Sequence, residues 1–329
     1  MNASLWSEQD ALSLEQTNGS RSVHPSNYGP VSLELWVMRN VDFAGQPARL
    51  LLIAIMTAPL AAPQAARPAH AVLDEIRAHH SGIAVWWVGN AGWLIKSGDL
   101  LIGTDLTLDN DDKVQPPPVT AAEIAADLDV VFVTHHHGDH CNPETLRILA
   151  QRGKCIFVLP SPCLKELSGI DIPSNRLIIP EPLHPFTVRG IRVEPIHAIH
   201  GNQEFTVLTR EPDFIDKITH NCGYVLEIGG KRFLEPGDSV LTEEHLSLKN
   251  IDVLFVSPTV HNMYIDRSTI LINHLEPAYI FPQHFGTYKE NEEELFWKRG
   301  YPDELKLRLT PELQRRFHKL RQGQMFEIE

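Results

Sequence analysis

From Ile83 onward the chain alternates short runs of β-branched and aromatic residues with segments of helical periodicity. Ile83–Val88 (IAVWWV), Trp93–Lys96 (WLIK) and Leu100–Thr104 (LLIGT), with a Gly-Asn-Ala-Gly turn after the first, predict a small antiparallel meander. Thr120–Leu128 predicts a helix with Thr120 as N-cap, and Asp129–Thr134 a buried strand running directly into His135. Asn142-Pro143-Glu144 combines an N-cap, a proline at the first helical position and an acidic first turn, so a helix should run to about Gln151 and stop at Gly153. Strands are expected at Cys155–Leu159, Leu177–Ile179, Phe186–Val188 and Ile191–Pro195. Tyr224–Ile228, Gly229-Gly230 and Lys231–Leu234 read as a hairpin that delivers Glu235-Pro236-Gly237-Asp238. A strand at Ile251–Val256, a helix at Ser268–Leu275 and a strand at Ala278–Phe281 lead to Pro282-Gln283-His284, and one or two amphipathic helices are expected after Tyr288.

Two successive halves of sheet and helix imply an α/β fold in which two sheets form a sandwich covered by helices on both outer faces. His and Asp, residue types able to ligate metals, recur at four of the strand ends. Gly201–Asn221, polar and irregular between two of them, reads either as a lid over a substrate or as an ordinary surface loop.

The 329 residues, 43% hydrophobic and 22% charged, suit an ordinary globular core, and a formal charge of −13 makes nucleic acid a poor default partner. Basic residues near the C-terminus are spaced as on a solvated helical face. The cysteines Cys141, Cys155, Cys163 and Cys222 form neither a CxxC pair nor a disulfide framework.

Residues 1–71 read as a leader and 72–329 as one large folded domain. Leu50–Ala62 is apolar but too short and too interrupted by proline to span a bilayer comfortably. Read from Met38, the basic segment, the apolar run and Ala69-His70-Ala71 have the order of a signal peptide over 38–71, which implies a periplasmic or secreted product. The alternative is a disordered Ala/Pro-rich leader on a cytoplasmic protein.

The chemistry concentrates in Thr134-His135-His136-His137-Gly138-Asp139-His140. Alternate residues leaving a strand can face one way, and the turn after them can bring Asp139 and His140 back, which gathers His135, His137, Asp139 and His140. An all-nitrogen-and-oxygen set suits catalytic divalent metals such as zinc, iron or manganese rather than a closed structural site. His136 is read as the intervening non-ligand.

This H-x-H-x-D-H run resembles the metallo-β-lactamase fold superfamily, whose members carry a distant His, an Asp and a final His after it. Ala198-Ile199-His200, Pro236-Gly237-Asp238-Ser239 and Pro282-Gln283-His284 supply these in order. The resemblance covers about Ile83 to Tyr288 and implies an αββα sandwich of two mixed β-sheets flanked by helices. It further implies two divalent cations, zinc first with manganese or iron compatible, on His135, His137 and His200 and on Asp139, His140 and His284, with Asp238 bridging. His197 competes with His200 for the third place. Asp139 and His140 are the candidate catalytic residues, and Asp105 matches the acid that in relatives supports the metal-binding loop.

Trp86-Trp87-Val88-Gly89, Trp93–Ser97 and Gly237-Asp238-Ser239 resemble the branch of L-ascorbate-6-phosphate lactonase. His284-Phe285-Gly286-Thr287-Tyr288 is instead similar to that of N-acylphosphatidylethanolamine-hydrolysing phospholipase D. Asn90 departs from the His that relatives often carry there. The resemblance thus implies hydrolysis of a small-molecule ester or lactone, or alternatively a phosphodiester. An iron-binding redox module is a reading from another class, although no flavodoxin-like segment accompanies the site. Tyr264 and His261 are candidate oxyanion donors, and Trp93, Phe285 and Tyr288 candidate pocket walls, each with packing as the plainer reading. Oligomeric state is open.

Overall fold

The computed structural model describes residues 69–109, 114–200, 219–259, 262–286 and 301–329. Most of the Gly201–Asn221 segment, His261, Tyr288 and the apolar run Leu50–Ala62 lie outside them. Helix α1 (Ala69–Ala78) begins at the Ala69-His70-Ala71 site, and its Val72, Leu73 and Ile76 are buried in the core that follows. Among the described residues no helix is long and apolar enough to cross a membrane.

The first sheet opens with the expected meander, β1 (Ile83–Gly89), β2 (Gly92–Ser97) and β3 (Leu100–Thr104), each antiparallel to the last. Helix α2 (Ala121–Ile124) follows, closed by a capping box between Thr120 and Glu123. Then come β4 (Val130–Phe132), α3 (Pro143–Arg152), β5 (Ile156–Val158), α4 (Ser161–Glu166) and β6 (Leu177–Ile178), the strands adding in parallel. In α3 the Asn142 side chain accepts from Thr145 N and Pro143 starts the helix, as its sequence requires.

The second sheet comprises β7 (Phe186–Val188), β8 (Ile191–His197), β9 (Cys222–Ile228), β10 (Lys231–Glu235), β11 (Val253–Val256) and β12 (Tyr279–Pro282). Its first four strands are antiparallel neighbours and its last three run parallel. Helices α5 (Glu243–Ser247) and α6 (Tyr264–Leu275) join these parallel strands, and α7 (Tyr301–Leu307) and α8 (Pro311–Arg315) come after them. A closing strand, β13 (Met325–Ile328), returns to the free edge of β1. The sheet orders are β13-β1-β2-β3-β4-β5-β6 and β12-β11-β10-β9-β8-β7.

Both faces of each central strand are buried, which explains their continuous apolar runs. Ala84, Trp86 and Val88 of β1 pack outward with Val72, Ile76, Leu146 and Leu149 of the helices. Ile83, Val85 and Trp87 point the other way, into an inter-sheet core with Phe132, Tyr224, Phe233, Phe255 and Phe281. A third core joins Val225, Leu234 and Leu254 to Ile265, Leu271, Leu305 and Leu313 on the far side. Helix, sheet, sheet and helix thus stack as the expected αββα sandwich.

Several boundaries differ from the sequence expectation. The strand expected over Asp129–Thr134 ends at Phe132, because Thr134 N–H donates to the Asp105 carboxylate rather than to a neighbouring strand. Helix α6 starts at Tyr264 instead of Ser268; its N-cap, Met263, has no side-chain cap, so no local signal marks the start. Helix α2 is shorter than Thr120–Leu128, and α4 and α5 had no expected counterpart. The end of the chain, expected as helices alone, also contributes β13, four residues whose strand form depends on pairing with β1.

Candidate metal centre

Five loops at strand ends converge on one buried point: those after β3, β4, β8, β10 and β12 carry Asp105, His135 to His140, His200, Asp238 and His284. Three overlapping triplets result, His135/His137/His200, His135/His140/Asp238 and Asp139/His140/His284, each with ligand atoms within 4.8 Å of one another. His140 Nε2 lies 3.3 Å from His284 Nε2, and His135 Nε2 lies 3.1 Å from His137 Nδ1. Asp238 stands among them, with Oδ2 3.1 Å from His284 Nε2 and 3.5 Å from His200 Nε2, and Oδ1 3.5 Å from His140 Nε2. Asp139 Oδ2 is 3.3 Å from His284 Nε2. Every residue that the sequence singled out as a ligand reaches this cluster, and His200 rather than His197 joins His135 and His137. His197 is turned to Glu244, with Nδ1 2.7 Å from Oε1.

The surrounding hydrogen bonds select the ring nitrogens that face inward. Buried Asp105 accepts from Thr134 N at 2.8 Å and Thr134 Oγ1 at 2.7 Å, and its Oδ2 lies 2.8 Å from His140 Nδ1. A carboxylate can only accept, so Nδ1 of His140 carries the hydrogen in the neutral ring and Nε2 presents a lone pair to the cluster. Because Thr134 Oγ1 donates to Asp105, it is left to accept from His135 Nδ1, 3.1 Å away, and Nε2 of His135 is likewise directed inward. One acid therefore sets the tautomers of two imidazoles.

The carboxylates of the cluster draw positive charge to it. Burial, with help from His140 and His137, holds His135 well below its ordinary value, and burial with His200 and His136 brings His137 down to about 3. Against the opposing pull of burial, His140 and His284 hold Asp139 and Asp238 well below the usual carboxylate range. The same carboxylates, again against burial, raise His140 and bring His284 up to about 9. Two acids that stay ionised, beside His135 and His137 held neutral and His140 and His284 whose protons a cation would displace, form the donor set of a divalent cation, and the residues present fit that role.

Three supporting residues were not assigned by sequence. Asn90, with φ 52°, donates from Nδ2 to Asp139 O at 3.0 Å and to Asp139 Oδ2 at 3.2 Å, while its carbonyl accepts from His284 N at 2.9 Å. It thereby joins two ligand loops, in a left-handed conformation that asparagine tolerates better than most residues. Thr107 Oγ1 also donates to Asp139 O, at 2.7 Å. Glu235, buried beneath the cluster, accepts from Gln283 Nε2 and Gly237 N, and burial and then the charge of Asp105 push its carboxyl up to about 8. A strand ending in Glu was the one local hint of this last residue.

Trp93 and Phe285, the described candidates for pocket walls, belong to the core. Trp93 is fully buried, stacked 4.5 Å from Phe255, and Phe285 stacks 4.6 Å from Trp87. Tyr264, the first residue of α6, packs against the outer core.

The chain matches the β-lactamase superfamily domain over residues 84–284, a span that contains all seven ligand candidates. A UPF0173 metal-dependent hydrolase of Carboxydothermus hydrogenoformans is 24% identical over 213 residues, covering 62% of this chain and 85% of its own. Among solved structures, the metallo-hydrolase Igni18 of Ignicoccus hospitalis has a TM-score of 0.56 at 16% identity, over 75% of this chain and 99% of its own. CmlA, a diiron β-hydroxylase of Streptomyces venezuelae, has a TM-score of 0.55 at 13% identity, over 76% of this chain and 55% of its own, and shares the fold. The domain match, the two-sheet sandwich and the buried His/Asp cluster agree: the chain belongs to the β-lactamase superfamily, as a metal-dependent hydrolase with the metallo-β-lactamase fold.

Proposed function

We propose that this enzyme hydrolyses an ester or lactone bond in a small molecule and uses a pair of divalent cations, zinc first among the candidates. The observation that supports a two-cation centre is the three overlapping triplets, one of which joins Asp238 to His135 of one proposed set and His140 of the other. His135, His137 and His200 would hold one cation and Asp139, His140 and His284 the other. When bound, such cations would supply Lewis acidity, which lowers the pKa of water towards neutrality and polarises the scissile oxygen.

The chain's own residues do the rest. Asp139 retains 24% side-chain exposure, whereas the His140, His284 and Asp238 side chains are essentially closed to solvent. Asp139 is therefore the carboxylate placed to pass a proton between water and a departing alkoxide, with Asn90 and Thr107 holding its loop still. His140 has Nδ1 committed to Asp105 and Nε2 to the cluster, so its part is to hold charge in place rather than to shuttle protons. Trp86-Trp87-Val88-Gly89, with its likeness to the lactonase branch, favours the ester or lactone; His284–Tyr288 supports a phosphodiester as the second reading.

Metal analysis of the wild type and Asp238→Ala, with a panel of lactones, carboxylic esters and phosphodiesters, tests this reading. About two metals in the wild type, fewer in the variant and turnover of a lactone or ester are expected. Turnover confined to phosphodiesters would move the chain to the second reading. Oxygen consumption without hydrolysis would replace hydrolysis by redox chemistry.

A further inference from the structure

Beneath the ligand cluster lies a buried polar layer that direct coordination does not require. Glu235, the last residue of β10, is fully buried. Its Oε1 accepts from Gly237 N at 3.0 Å and from Gln283 Nε2 at 2.8 Å. Gln283 is equally buried; its Oε1 accepts from Trp93 Nε1 at 2.7 Å, and its Nε2 lies 3.3 Å from Ser257 Oγ. Gly237 immediately precedes Asp238, and Gln283 immediately precedes His284.

In the sheet β11 separates β10 from β12, so no ladder bond joins the two ligand loops directly. The Glu235 carboxyl bridges that gap past the end of β11. Gly237 lacks room to adjust: with φ 62°, a Cβ there would come within 2.7 Å of Thr134, the residue before His135. The turn into Asp238 thus leaves no space for a side chain towards Thr134, and its Gly237 N–H is bonded to Glu235. A buried carboxyl is a costly way to fill core space that leucine would fill, and it persists here in hydrogen bonds that converge on two ligand loops.

We propose that Glu235 and Gln283 form a buried clamp that sets the separation of Asp238 and His284, whose Oδ2 and Nε2 stand 3.1 Å apart, and thereby determines how tightly a cation is held between them. Glu235 is on this view a positioning residue, and the inference rests on the metal-centre reading above. Its hydrogen-bond acceptor, rather than its charge, is what matters.

Zinc affinity, measured by competition with a chromogenic chelator, is compared in the wild type, Glu235→Gln, Glu235→Leu, Gln283→Leu and the double leucine variant, each checked for a cooperative thermal transition. Glu235→Gln keeps an oxygen acceptor and should bind zinc within about threefold of the wild type. Glu235→Leu and Gln283→Leu should each weaken binding about 10- to 100-fold, with the double variant no weaker than the worse single one, as expected of a single linkage. If Glu235→Leu does not fold, Gln283→Leu and Glu235→Gln carry the comparison alone. A folded leucine variant that binds as the wild type does, a glutamine variant as weak as the leucine one, or additive losses would overturn the clamp while leaving the metal centre standing. A wild type that binds no zinc would overturn both.

Discussion

Asp105 shows how much one side chain can organise. It has no solvent exposure, yet it meets a backbone N–H, a hydroxyl and an imidazole at 2.7 to 2.8 Å. Removing it in Asp105→Ala strands those donors in a dry interior, and a loss of roughly 2 to 5 kcal/mol in urea unfolding is expected, with weaker zinc binding. Asp105→Asn would be the sharper probe, since its amide nitrogen, in place of either carboxylate oxygen, would face a donor; retention of full zinc affinity in that variant would contradict the tautomer argument. His284 yields a prediction in pH. Its value is raised to about 9 in the folded chain, so without cation it contributes stability that is complete below its ordinary 6.5 and is lost as pH rises through about 9. The loss is about 3 kcal/mol. Metal-free protein should therefore unfold at lower urea at pH 9 than at pH 6.5, whereas zinc, which competes with that proton, should bind more tightly as pH rises over the same interval.

Elements deliver these side chains by abrupt endings, and the endings are where substitutions should tell. Gly237 makes the turn after β10 with φ 62°, and the Cβ of Gly237→Ala would collide with Thr134. That variant should lose zinc affinity and more than about 1 kcal/mol of stability, because strain and collision add. By contrast Thr120→Ala breaks the capping box of α2, which is remote in chain order from every ligand loop, and should cost about 1 kcal/mol of stability with hydrolysis unchanged. The contrast also marks what was legible locally. The caps of α2 and α3 and the strand β3 were readable because side chains near in sequence create them. The start of α6 was not, since Met263 offers no capping bond and the helix is held by Ile265, Leu271 and Ile272 in the outer core.

At the scale of the whole molecule, the chain closes its first sheet with its last residues. Ile328 is buried, and Phe326 meets the rings of Phe281 and Tyr279, so β13 covers the end of the inter-sheet core as well as the edge of β1. Truncation after Gln324 should cost about 3 kcal/mol or more and expose an edge prone to pairing between copies, measurable as a lower thermal midpoint with light scattering on heating. The sequence by itself determined the residue types of the metal centre, the strands that carry them and the two-sheet sandwich class, because short apolar strand runs, helical periodicity and the H-x-H-x-D-H run are short-range properties. Only the tertiary structure decided what depends on approach between distant segments. It turned His200 inward and gave His197 to Glu244, put Asp105 against His140, let Asn90 join Asp139 to His284, and set Glu235 beneath Gln283. These are contacts between residues 35 to 194 positions apart, and no local pattern encodes them; the order of strands within each sheet and, as for Asn90 with His284, the packing of one sheet on the other create them.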